Sequence, residues 1–172
     1  MPWPIRIIVI LAVLYVSWIA MMAVHESGHV LAALIGGGHV SRVVFPLTGF
    51  SRTDVDPDPS PRLEIWGGPV WGSYLPFLAW MLIRKRFPKR IDIPLGFFTG
   101  LCLVANGAYM GMGWTMSAGD AAELMKLGTP MWVLVAYGAI TFFLGFYVWH
   151  TLGPFVVIMK PGAERDAGLT KP

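Results

Sequence analysis

Between Ile7 and Val24 the chain carries no charged residue, and the apolar run that begins at Ile5 continues to the glycines at 36–38. A helix over 5–35 exceeds the ~20 residues needed to cross a bilayer. In lipid every backbone polar group must find a partner within the protein, so an isolated run of this length can only be helical. The later half of the run holds A-V-H-E-S-G-H-V-L-A, residues 23–32. His25 and His29 are four apart and share one helical face, with Glu26 beside the first. Ionisable side chains in such a setting are costly and mark function. The run is also far longer than the roughly 7–15 apolar residues of a signal peptide, so it is expected to stay in the mature protein.

Three further stretches are long enough to span. They cover about 63–83, 93–113 and 131–158. Gly67, Gly68, Pro69, Gly72 and Pro76 are expected to kink or locally open the second, and Gly153-Pro154 to end the regular part of the fourth. Charged residues are 13% of the chain, about half the ~25% of soluble domains. The fold class expected is an all-α membrane protein with about four transmembrane helices and a short β-hairpin-like segment between the first two. Val40 to Phe45 and Phe50 to Val55 are strand-like, and residues 46–49 supply the turn. A single domain is expected over 1–159, followed by a short polar cytoplasmic tail, 160–172.

The net charge of +3 is too small and too segregated to suggest nucleic acid. It reads as topology instead. Arg84, Lys85, Arg86, Lys89 and Arg90 lie between spans two and three. Placing that loop in the cytoplasm brings Arg6, Lys160, Arg165 and Lys171 with it, and so both termini. The lone Cys102 lies in an apolar run and reads as a buried apolar residue. Gly96, Gly100, Gly107 and Gly111 give span three a flat face that lets another helix approach closely, either beside the histidine-bearing helix or as ordinary packing between membrane helices.

His-Glu-x-x-His can hold a metal because two neutral imidazoles leave room around Zn²⁺ for a third ligand and a water. The metal lowers that water's pKa, and the glutamate can take its proton. The residues available as third ligand are Asp120, Glu123, Glu64, His39 and His150. Asp120 and Glu123 follow span three on the same side as the histidines. Glu64 starts span two on that side but reads as an interfacial charge, His39 as a solvated loop residue and His150 as an interfacial one. Asp120 also has the position of an N-cap for the short helix A-A-E-L-M-K-L.

At these residues the chain resembles the site-2 protease superfamily of intramembrane zinc metallopeptidases, especially its small, compact bacterial branch. The matching pieces are H-E-S-G-H (25–29), G-G-P-V-W-G (67–72) and G-D-A-A-E-L-M-K-L-G-T-P-M-W (119–132). The resemblance implies a zinc metalloendopeptidase that cleaves membrane-embedded or membrane-adjacent protein segments. His25, His29 and Asp120 would be the Zn²⁺ ligands and Glu26 the catalytic base. It further implies a multi-pass protein of a bacterial cytoplasmic membrane, with a transmembrane protein or peptide as substrate and room for a regulatory membrane partner. The chain departs from better-known members in two ways. Asn106 stands fourteen residues before Asp120 with no proline between them, and Ala121 follows the aspartate where those members carry glycine. Asn106 then reads as an amide bonding between helices.

The competing expectation is a non-catalytic zinc-binding membrane scaffold, or inactive homologue, that binds transmembrane partners. A membrane di-iron hydroxylase would need several histidine boxes, which four histidines cannot supply. No paired repeats support a transporter.

Overall fold

The computed structural model describes residues 2–86 and 88–153. The order is α1 (Trp3–Ile35), β1 (Val40–Val44), β2 (Arg52–Val55), α2 (Pro61–Ile83), α3 (Lys89–Met112), a 3₁₀ turn (Gly113–Thr115), α4 (Asp120–Lys126) and α5 (Met131–Thr151). The expected tail, 160–172, and the end of span four lie outside the described residues.

α1 begins with Pro2 and Pro4, whose fixed φ suits a first turn. It ends where expected, with Gly36 N–H bonded to Ala32 O and Gly37 at φ +80°. In the N-terminal half of α1, Ile5, Ile8, Leu11, Val13 and Val16 are all exposed. Apolar exposure on this scale is not a surface that water tolerates in a monomer. α1, α3 (with the 3₁₀ turn) and α5 are long and apolar enough to cross a membrane.

α2 is the exception among the four expected spans. Its interior is built from glycine, proline, serine and tryptophan rather than aliphatic residues, because it packs between α1 and α3. The expected opening of α2 at its glycines and prolines is not found, since the helix is continuous from Pro61 to Ile83. The glycines have a different task. A Cβ on Gly67 would meet Ala32 Cβ and the backbone of Gly28, so α1 and α2 touch nearly backbone to backbone there.

The glycine face of α3 does receive a closely packed helix, but not the histidine-bearing one. Gly107 and Gly111 pack against Gly138 and Phe142 of α5, and Gly100 against the Trp149 ring. α3 therefore clasps α5, not the histidine-bearing helix. A face without side chains recognises any close neighbour, and α5 offers matching small residues in Gly138 and Gly145.

The hairpin between α1 and α2 forms as expected, so the fold is helical with one small antiparallel sheet. Val40 pairs with Val55, Arg42 with Asp54, Val43 with Thr53 and Val44 with Arg52, with an irregularity between Val40 and Arg42. It lies along α1: Tyr15 Oη donates to Leu47 O at 2.9 Å, and Trp18 meets Phe50 edge to face.

Candidate metal centre

The helical repeat sets His25 and His29 one turn apart on the face of α1 that looks across to α3 and α4. Their Nε2 atoms lie 3.1 Å apart. Asp120 Oδ2 lies 3.1 Å from His25 Nε2 and 3.5 Å from His29 Nε2. A tetrahedral metal with bonds of ~2.0–2.1 Å separates its donors by roughly 3.3–3.4 Å, so this N,N,O set fits a small divalent cation. Among the described residues, these three form the cluster of His, Cys and acidic side chains able to hold a metal. Calcium, which wants six to eight oxygens, does not suit two imidazoles.

The other nitrogen of each imidazole is engaged. His25 Nδ1 lies 2.7 Å from Asn106 Oδ1. The Asn106 amide cannot be reversed, because its Nδ2 donates to Cys102 O at 2.9 Å. His29 Nδ1 lies 3.0 Å from the Glu64 carbonyl oxygen and 2.9 Å from Glu64 Oε1. All these partners are acceptors, so each ring keeps a hydrogen on Nδ1, and a metal at the centre would take the Nε2 side. Burial works to raise the Asp120 carboxyl, but hydrogen bonds from His25 and His29 outweigh it and hold it below the usual carboxylate range. It stands as an anion toward the two rings.

Asp120 is the first residue of α4 rather than its cap; Gly119 occupies the cap position with no side-chain bond. Gly119 is required twice over. Its φ is +96°, and a Cβ there would run into Tyr109 Oη. That hydroxyl accepts from Asp120 N–H at 3.0 Å and fixes where α4 begins.

The remaining ligand candidates are set apart. Glu64 is 8% exposed. The expectation of an interfacial charge fails for it, since it is the partner of His29. Glu123 is exposed and pairs with Lys126 at 2.7 Å. His39 and His150 are exposed and away from the centre.

Glu26 is 2% exposed. Its Oε1 accepts from Ser51 Oγ at 2.7 Å and its Oε2 from Thr53 Oγ1 at 2.6 Å. Neither hydroxyl was expected at the site. The alternation of strand residues, which puts 51 and 53 on one face, was the only signal available. Glu26, both histidines, Asp120 and all of β2 line a single cavity of about 740 Å³. The cavity runs along β2 rather than through α2. α2 contributes only Glu64 and Ile65 to its wall.

Gly68 completes the seat of the centre. A Cβ on it would overlap the His29 imidazole, so the ring lies flat against bare α2 backbone. Gly72 similarly faces His25 Cα and the Asn106 amide. No family model, curated protein or solved structure matches the chain.

Proposed function

We propose that the chain is an intramembrane metallopeptidase that hydrolyses peptide bonds in membrane-embedded or membrane-adjacent protein segments. The observation that carries this is the meeting of two Nε2 atoms and the Asp120 carboxylate with the Glu26 carboxylate in one cavity. In this reading α2 crosses the bilayer with α1, α3 and α5, both termini face the cytoplasm, and the site lies toward the opposite side. The resemblance to site-2 proteases belongs to the same proposal.

His25, His29 and Asp120 would hold Zn²⁺. When bound, the metal supplies a Lewis acid for the scissile carbonyl and acidifies a water. The chain's own groups do the rest. Asn106 and Glu64 keep the two imidazoles in the metal-binding tautomer. Glu26 accepts a proton from the attacking water and returns it to the leaving amine, so one water is consumed per bond broken. A liquid water occupies ~30 Å³. The cavity therefore has room for an unwound segment as well as the reactant. β2 borders the cavity while β1 lies behind it, so the outer edge of β2 is suited to take an extended segment by strand addition.

The test is cleavage of a tagged transmembrane segment by the full chain in liposomes, comparing wild type with Glu26→Gln. The proposal expects at least a hundredfold loss with zinc retained. Equal cleavage by both removes Glu26 as base. Zinc retained with no cleavage by wild type favours the metal-holding scaffold.

A further inference from the structure

Glu26 differs from a base left free in a cleft, because both of its oxygens are bonded to the hairpin. Ser51, the residue before β2, and Thr53 on it are two apart, and both turn their hydroxyls to Glu26. Each reaches a different oxygen of the carboxylate, at 2.7 and 2.6 Å. A carboxylate has about four lone-pair sites, and two hydroxyls leave two free. The pair therefore fixes the plane and rotamer of Glu26 without using up its capacity to take a proton.

β2 and the residue before it, which carry the two hydroxyls, lie against the cavity. Residues 50–55 all line it, and no residue of β1 does. One side of β2 pairs with β1, so its other edge is the free one. Beside the hydroxyls, Phe50 lies between Trp18 of α1 and Tyr109 of α3, at ring distances of 6.0 and 6.1 Å. The hairpin thus crosses the mouth of the cleft from helix to helix and grips the base as it does so.

We propose that Ser51 and Thr53 are positioning residues for Glu26, and that they make placement of the base depend on the conformation of the strand edge where substrate would add. The proposal rests on the peptidase reading. It extends that reading to control of the site, because a segment paired with β2 would stiffen the strand that aims the carboxylate. A segment lodged in the cavity without pairing would leave the base less well held. Selection of substrates would then act on kcat as well as on binding.

Two measurements on the full chain in liposomes or detergent test this. The first is cleavage of the tagged segment by a Ser51→Ala/Thr53→Val double variant, with zinc content measured alongside. A fall in kcat of tenfold or more is expected, with KM and zinc unchanged, and recovery in Ser51→Thr/Thr53→Ser, which restores both hydroxyls. The second needs no activity: amide hydrogen exchange over residues 50–55 in wild type and Glu26→Ala. Loss of both bonds is expected to speed exchange there about tenfold, with α3 and α5 unaffected. Wild-type kcat in the double variant, or unchanged exchange in Glu26→Ala, overturns the proposal. If wild type cleaves nothing, the peptidase reading fails on its own, and the exchange comparison still decides whether the hydroxyls hold Glu26.

Discussion

Glu64 offers His29 two acceptors at once, its carboxylate at 2.9 Å and its own carbonyl oxygen at 3.0 Å, both from Nδ1. The first turn of α2 thereby sets the tautomer of an imidazole on α1. Partners of this kind raise ligand basicity, and their loss costs about 10–100-fold in metal affinity. Glu64→Ala removes the carboxylate and keeps the carbonyl, so it is expected to weaken zinc binding by about tenfold, the lower end of that range, while Asp120 stays in place. Competition with a chromogenic chelator measures it, and an unchanged affinity would contradict the role.

Asp120 and Glu123 separate cleanly. Asp120 faces both imidazoles, whereas Glu123 is exposed and paired with Lys126. Asp120→Asn should lose at least a hundredfold in zinc affinity, and Glu123→Gln should leave it within twofold. Metal content after dialysis distinguishes the two. The reverse ranking would move the third ligand to Glu123.

Gly68 has no room for a methyl group. Because the obstruction is the His29 ring, Gly68→Ala is expected to displace a ligand as well as strain the α1–α2 contact. Overpacking of this kind costs about 1–3 kcal/mol. Thermal unfolding should show that loss, accompanied by loss of zinc. A stable variant with full zinc content would show that the helices separate without cost.

Gly138 provides the contrasting case. A side chain there meets the Gly111 backbone, on the α3–α5 contact. Gly138→Leu should cost at least as much stability as Gly68→Ala, about 1–3 kcal/mol or more. Yet the zinc affinity of the folded fraction should be unchanged, because no centre residue lies on α5. Zinc titration of the folded fraction checks this.

Removing the metal should also lower stability. A ligand at a hundredfold excess over its dissociation constant contributes about 2.7 kcal/mol. Chelation is therefore expected to lower the unfolding temperature, and added zinc to restore it. Asp120→Asn should show no such response.

The parts of this chain that local pattern could reveal were those whose chemistry is local. The His25–His29 spacing, the glycine stop after Ile35 and the alternating strand around Ser51 and Thr53 each involve a few consecutive residues. Partners drawn from far along the chain carry no such mark. Asn106 is 81 residues from His25, and Glu64 is 35 from His29. A lone amide or carboxylate at a helix start looks the same whether it faces water or an imidazole. Glycines in α2 and α3 were ambiguous for a related reason. A missing side chain permits a kink, a close approach or a bare wall for a ring, and only the neighbour decides which. Gly68 has His29 as its neighbour, and Gly107 has Phe142.

In the proposed reading, the 33 residues of α1 decide where in the bilayer the centre would sit. At ~1.5 Å per residue the helix is roughly 50 Å long, against a hydrocarbon layer of ~30 Å. Counted from Trp3, His25 lies roughly 33 Å along the axis. An upright α1 that enters the bilayer at Trp3 would therefore carry its histidines to the far boundary of the hydrocarbon. Tyr15, where the hairpin tip is fastened, would lie roughly 15 Å deeper. Water would have to travel only the length of the hairpin to reach Glu26. A substrate helix would meet the centre where its own end begins to leave lipid, and where unwinding it is cheapest.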